Sequence, residues 1–377
     1  MHSDLVKIFS ALLTSFVLTY MFIPSIIKVA NIKHLFDTPG KRKSHVTVVP
    51  TLGGVGIFGG FMISFCLFAS FGPRAHEMKF IIAALCFTFM LGVKDDIVEL
   101  VASKKFIGQI FAASIIVILG DVRLTSLYGL FGISYIGDFF SVILSVVTII
   151  FIINAFNIID GINTLSGSIS ILMSIAFGSW FYLNGFFDYA VLATAMGGSV
   201  FAFLKYNYTP AKIFMGDSGS LSIGLLAAVL AIQFIEKNEL ILHSYNHDNL
   251  IHITAAPAMA IAILIIPVFD TFRAFTLRVI NGKSPFEADR NHLHHRLIDL
   301  GLSHVTASFI LVAVNTLFII VTYFLQDWGN LFLILFEFAL AAFLTFILFS
   351  FSLKKKVKPE KKTTSKNNSL PLEIEIG

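Results

Sequence analysis

Five short polar segments interrupt an otherwise apolar chain, and their residue types define the chemistry open to it. Lys94-Asp95-Asp96 sets two adjacent carboxylates beside a lysine, and Lys105 follows nine residues after Asp96. Such a pair can attract a divalent cation or take a proton, and a nearby lysine can hold a phosphate as a point charge. The same residues also suit interfacial charges that end a helix. Asn154-Ala-Phe-Asn157-Ile-Ile-Asp160-Gly161-Ile-Asn163 repeats a polar residue at every third position, which puts them on one helical face inside an apolar stretch. Unpaired polar groups are costly there, so these residues serve either a site or helix packing. Phe214-Met-Gly216-Asp217-Ser218-Gly219-Ser220 exposes an aspartate in a glycine-rich turn at a helix start, where an N-cap is the plainer alternative. Asp289-Arg290-Asn291-His292-Leu293-His294-His295-Arg296 joins three histidines to two arginines. Arginine forks and imidazoles suit phosphate or sugar binding, while zinc is the lesser alternative because no cysteine is near. The basic, turn-rich Asp37-Thr-Pro39-Gly40-Lys41-Arg42-Lys43-Ser-His45 leads into Pro50-Thr-Leu-Gly53-Gly54 and can meet an anionic head group or a nucleotide. Membrane topology alone would also place positive charge there.

The elements that must position these segments are membrane helices. Of 377 residues 56% are apolar, 13% are charged and 41 are Phe, well beyond an ordinary soluble domain. The apolar residues gather into runs close to the roughly 20 residues that cross about 30 Å of hydrocarbon. Eleven runs are expected as spans, at 5–27, 52–71, 79–94, 107–120, 139–155, 165–183, 189–204, 219–235, 251–269, 305–326 and 330–351. The first ends at Lys28 without a small-x-small cleavage site and reads as a retained span. Glycine-rich 52–71 suits close packing within a bundle. Segment 121–138 has short β-like stretches around Gly129 and Gly132 that suit a small hairpin. The fold class is thus all-α and polytopic: one membrane domain over 1–351, then a basic, disordered tail over 352–377. Cys66 and Cys86 lie inside apolar runs and read as small hydrophobes. The net charge of +4 and pI near 8.9 do not imply nucleic acid binding.

Loops between spans alternate sides, and the alternation sorts the charges. Of 27 Lys and Arg, only Lys7, Arg74, Lys79, Arg123 and Lys237 fall on one side. The positive-inside rule makes the other side cytoplasmic, with the N-terminus outside and the C-terminus inside. All five polar segments then share the cytoplasmic face. A transporter would place its acids at mid-membrane on broken helices instead.

In this order and on this face, Asp95-Asp96 with Lys105, the Asn154-to-Asn163 segment, Phe214-Met-Gly-Asp217-Ser-Gly-Ser220 and Asn291-His292-Leu-His294-His295 resemble the polyprenyl-phosphate N-acetylhexosamine-1-phosphate transferases of glycosyltransferase family 4. The similarity covers roughly residues 35 to 305. Each motif is weak alone, and four in order are specific. The late loop, with His292-Leu293-His294-His295 after Asp-Arg-Asn, looks more like the branch that uses UDP-N-acetylglucosamine than the peptidoglycan branch, which usually has three consecutive histidines after a proline. The resemblance implies transfer of N-acetylglucosamine 1-phosphate from UDP-N-acetylglucosamine to undecaprenyl phosphate, releasing UMP, at a bacterial inner membrane. Another UDP-N-acetylhexosamine, or the muramoyl-pentapeptide nucleotide, is the nearest alternative substrate.

That resemblance also implies residue roles. Asp217 and Asn157 would ligate Mg²⁺, or Mn²⁺ in its place; Asp95, Asp96 and Asp160 would be catalytic, with Asp95 or Asp96 taking the proton of the polyprenyl phosphate. Lys105 and Arg290 would bind phosphate. Phe214, Gly161 and Asn163 would form the uracil pocket, while His292, His294 and His295 would address the sugar or pyrophosphate. Direct attack by the lipid phosphate is favoured over a covalent aspartyl intermediate, because an anion needs orientation more than activation. The lipid bilayer is a further partner, and the resemblance allows a homodimer. The repeated aspartate signature of the CDP-alcohol transferases is absent.

Overall fold

Each of the eleven apolar runs falls on helix in the structure, a computed structural model that describes residues 2–37, 49–70, 76–242, 250–284 and 291–357. The first half of the chain forms α1 (His2–Lys33), β1 (Phe36–Asp37), β2 (Val49–Pro50), α2 (Gly53–Phe68), α3 (His76–Val98), α4 (Ala102–Ser114) and α5 (Asp138–Ile159). The second half forms α6 (Leu165–Leu183), α7 (Phe187–Asn207), α8 (Gly216–Leu242), α9 (Ala256–Ile263), α10 (Ile265–Ile280), α11 (Leu293–Asp299), α12 (His304–Phe324) and α13 (Asn330–Val357). Among the described residues eight helices are long and apolar enough to cross a membrane, and α9 with α10 would make a ninth as one bent span. Short α2 and charged α3 stand outside that count. The chain is therefore an all-α polytopic membrane protein.

α8 is the axis of the bundle. It packs on α2, α3, α5, α6, α7 and α9, and it is almost wholly buried. Small residues make this approach close. A Cβ at Gly224 would come 2.7 Å from the Ile153 Cα, and one at Gly54 would come 2.1 Å from the Gly219 amide nitrogen. Lipid-embedded helices gain from such contacts because van der Waals packing replaces the hydrophobic effect between them.

At the C-terminal end of α8 the connecting segments are tied down by hydrogen bonds. Glu236 accepts from the Thr125 amide at 2.8 Å and the Thr125 hydroxyl at 2.7 Å. The Tyr128 hydroxyl donates to the Ile235 carbonyl at 2.7 Å, and Asn238 exchanges two 2.8 Å bonds with the backbone of Ile253. The hairpin expected over 121–138 is present in reduced form, as one antiparallel bridge between Ser126 and Tyr135.

The run at 251–269 differs from the straight span expected. Helix begins at Ala256, breaks at Leu264, and resumes as α10 at an angle of 84°. Pro267 has no N–H to donate to the Ile263 carbonyl, so the backbone there loses a helical bond. Asn315 of α12 fills the gap: its amide donates to the carbonyls of Ala262 (3.1 Å) and Ile263 (3.0 Å) and accepts from the Ile266 amide at 3.4 Å. The loop expected after 269 is thus helical to Ile280. α13 likewise runs to Val357, past the expected end at 351, and the tail from 358 lies outside the described residues.

Candidate active site

The N-terminal end of α8 opens on Gly216, whose φ of +73° only glycine adopts without strain. A side chain there would also collide, with the Thr51 carbonyl 2.0 Å from an added Cβ. The turn leaves the first amides of α8 without helical partners, and Asp96 at the end of α3 supplies them. Its two oxygens accept from the Asp217 amide at 2.6 Å and the Ser218 amide at 3.0 Å. A carboxylate at a helix N-terminus satisfies the orphan donors and meets the positive end of the dipole. Asp96 is therefore a helix cap contributed by another helix. Gly92, one turn earlier, lets α3 come this close, since a Cβ there would lie 2.5 Å from the Asp217 carbonyl.

So held, the Asp217 side chain faces α4 and α5. Lys105 Nζ lies 2.6 Å from Asp217 and 2.9 Å from Asp95, bridging the two carboxylates. Asn157 donates to the other oxygen of Asp217 and also to the Ser220 hydroxyl at 3.0 Å. Asp95 further accepts from the Leu100 amide at 2.6 Å, which ends α3. Asp160 follows α5, and burial pushes its carboxyl well above the usual range, with the charges of Asp217 and Asp96 pushing the same way. Asp95 and Asp217, distant in sequence, thus meet at a single lysine, with Asn157 on the second oxygen of Asp217.

Beside this cluster is a cavity of about 370 Å³, within the size range of small-molecule sites. Lys105, Asn157, Gly161, Arg278 and the three histidines His292, His294 and His295 line it, with Phe106, Ile158 and Phe275 making apolar wall. Gln109 and Asn154 also line it but are committed to each other, exchanging amide bonds of 3.3 and 2.8 Å that pin α4 to α5.

The histidine segment is folded onto α10. His292 precedes α11 and sets its Nδ1 3.0 Å from Asp270, while the Leu293 amide donates to the same carboxylate at 3.1 Å. Arg273 donates to Asp270 at 2.8 Å, and Arg278 lies 3.4 Å from His292 Nε2. The His294 ring lies 4.2 Å from that of His295 and covers Gly161, where a Cβ would come 2.5 Å from His294 Nε2. Glycine at 161 is thus fixed by the approach of an imidazole. Neither ring nitrogen of His294 has a partner among the described residues, and burial, followed by the neighbouring His295, depresses its pKa to about 3.

Other expected site residues lie elsewhere. Phe214 does not line the cavity; its backbone pairs with the segment before α2, bonding Pro50 at 2.8 Å and Gly53 at 2.9 Å. Asn163 is also outside the lining, with its amide on Thr209 at 3.0 Å and its backbone held by His304 and Ser308. Arg290 and the basic loop 38–48 lie outside the described residues. Asp270, Arg278 and Gln109 are site or support residues that the motifs do not contain. Asp270 and Arg273, three residues apart, are neighbours on a helix, a signal hidden because the run was expected to end at 269.

A bundle of membrane helices with a polar, phosphate-suited cavity at one end and an apolar body fits a class of protein, the integral membrane enzymes. The comparisons make that class particular. The sequence model of glycosyl transferase family 4 matches residues 78–235, which holds the carboxylates, Lys105, Asn157 and Asp217. The chain is 31% identical over 310 residues to the decaprenyl-phosphate N-acetylglucosaminephosphotransferase of Mycobacterium leprae, covering 78% of this chain and 77% of that one. It is 31% identical over 347 residues to the probable undecaprenyl-phosphate N-acetylglucosaminyl 1-phosphate transferase of Bacillus subtilis, covering 88% and 89%. Against the undecaprenyl-phosphate alpha-N-acetylglucosaminyl 1-phosphate transferase of Escherichia coli O157:H7 the identity is 26% over 367 residues, covering 94% and 93%. The chain belongs to glycosyl transferase family 4.

Proposed function

We propose that this protein transfers N-acetylglucosamine 1-phosphate from UDP-N-acetylglucosamine to a polyprenyl phosphate, undecaprenyl phosphate in a bacterial inner membrane, and so begins assembly of a cell-envelope polysaccharide. The observation that carries the reading is that Lys105 and Asn157, both bonded to Asp217 and the lysine also to Asp95, line one wall of a cavity whose other wall is Arg278 and three histidines. One wall suits a metal-bound pyrophosphate and the other suits a sugar and its phosphate. The names of the relatives state the same transfer.

In the reaction an oxygen of the polyprenyl phosphate forms a bond to the β-phosphorus of the nucleotide. The bond from that phosphorus to the bridging oxygen breaks, and UMP leaves with that oxygen. Mg²⁺ would neutralise the pyrophosphate charge when bound. Among the described residues no three His, Cys, Asp or Glu converge as a cage. An ion held by one or two carboxylates plus substrate phosphates is the usual arrangement for Mg²⁺, and Asp217 with Asn157 supplies the oxygen donors for it. Lys105 sits between Asp95 and Asp217 and is within reach to move onto a phosphate. Asp96, committed to two amides of α8, holds Asp217 in place, and Asp95 is bound in turn by Lys105 and the Leu100 amide. The cavity end is cytoplasmic, as the lysine and arginine asymmetry requires.

Donor choice tests the reading. Purified protein given undecaprenyl phosphate and Mg²⁺ should consume UDP-N-acetylglucosamine in preference to the muramoyl-pentapeptide nucleotide. The reverse preference would move the chain to the peptidoglycan branch.

A further inference from the structure

We propose that Asp270 is a positioning residue that decides which nitrogen of His292 carries the proton, and thereby whether His292 can hold the Arg278 guanidinium at the cavity for the phosphate of the donor. Asp270 lies on α10 with 1% of its surface exposed and is outside the cavity lining, so it acts on substrate only through a neighbour. Its carboxylate has three donors: Arg273 Nη2 at 2.8 Å and the Leu293 amide at 3.1 Å on one oxygen, and His292 Nδ1 at 3.0 Å on the other. A carboxylate ion can only accept, so Nδ1 bears the hydrogen. On the far side of the ring, Nε2 lies 3.4 Å from Arg278 Nη2, which can only donate. The Nε2 lone pair therefore goes to Arg278, and Asp270 acting through His292 holds that guanidinium at the cavity wall.

That orientation is chemically selective. A guanidinium held at Nε2 keeps its place on the wall of a cavity suited to a phosphate, whereas a ring carrying its hydrogen at Nε2 would face Arg278 donor to donor. A cap for the Leu293 amide alone would need one acceptor and no charge. A buried carboxylate is costly unless it is paired, and here the second oxygen goes to the imidazole. Partners that fix a histidine tautomer matter to activity although they never touch substrate. The ligand named here rests on the transferase reading above; the tautomer does not.

The test uses the full-length protein labelled with ¹⁵N in its imidazole nitrogens, with the His292 signal identified by its loss in His292→Gln. Wild type should show Nδ1–H and bare Nε2. Asp270→Asn, whose amide N–H would donate to Nδ1, should show the opposite tautomer and a kcat lowered by about 10²-fold, the scale for such supporting partners. Asp270→Glu, which keeps an accepting carboxylate, should restore the Nδ1–H form and recover at least about a tenth of the activity. In a His292→Gln background, Asp270→Asn should change kcat by less than about 3-fold, because coupled residues are not additive. An unchanged tautomer in Asp270→Asn, or an equal loss in both backgrounds, would overturn the proposal. A wild type that shows the tautomer but makes no UMP would contradict the transferase reading alone.

Discussion

The two ends of α8 use the same side-chain types to opposite effect. At the C-terminal end Glu236 accepts two bonds from Thr125, and Asn238 exchanges two with Ile253, so that every polar group named there closes a connection to the bundle. At the N-terminal end Asp217 is met by a lysine that also holds Asp95, and His294 keeps both ring nitrogens without partners among the described residues. The groups named at one end close on the bundle, and at the other Lys105 and His294 face a cavity. Buried polar groups left incomplete cost stability, and a protein keeps them where a ligand completes them. What marks the N-terminal end is that its incomplete imidazole lies on a cavity.

Substitutions at the two ends should separate activity from stability. The largest effect belongs to Asp217→Asn, which keeps the shape and removes the charge expected to hold a cation. Turnover should fall by about 10³-fold or more while the melting temperature stays near wild type. Near-normal turnover would remove Asp217 from the site.

Asp96 and Asp95, adjacent in sequence, should behave differently. Asp96→Ala removes the cap of α8 and should lower stability by about 1–2 kcal/mol as well as activity. Asp95→Ala should lower activity with a smaller loss of stability, read by thermal unfolding beside initial rates. Equal destabilisation by both would contradict the cap assignment.

At the opposite end Glu236→Ala leaves the Thr125 amide without its acceptor and should cost about 1–3 kcal/mol. Specific activity of the folded protein at low temperature should be unchanged. A loss of turnover matching that of Asp217→Asn would erase the contrast between the ends.

A further expectation concerns pH. His294 has a folded pKa of about 3 against the 6.5 of an exposed histidine, so between those values the unfolded chain binds more protons than the folded one. Stability should therefore fall as pH drops through that window and level off above it. Replacing His294 with Gln should flatten this part of the curve in a denaturation series at pH 4 to 7; an unchanged curve would show that His294 does not titrate there.

Much of this organisation was legible in the sequence because lipid imposes simple rules. Runs of apolar residues had to be helical, and Gly216 before Asp217 marked a turn that a side chain would block. The break at Leu264 was less legible, since Pro267 signals a lost bond but the direction of α10 depends on Asn315, about fifty residues away. Asp270 was obscured for the same reason: its role depends on the segment that α10 meets. Asn154 and Asn157 share a face of α5 yet differ in use, one spent on Gln109 and one on Asp217, and spacing alone does not distinguish them.

The central claim is that this end of the molecule transfers a sugar phosphate, and the nucleotide product decides it. Purified protein supplied with Mg²⁺, undecaprenyl phosphate and UDP-N-acetylglucosamine should release UMP and form a lipid pyrophosphate carrying the sugar, because attack falls on the β-phosphorus. Release of UDP, with the sugar joined to the lipid phosphate through its anomeric carbon, would mean that the bond between sugar and phosphate breaks instead, and would contradict the account.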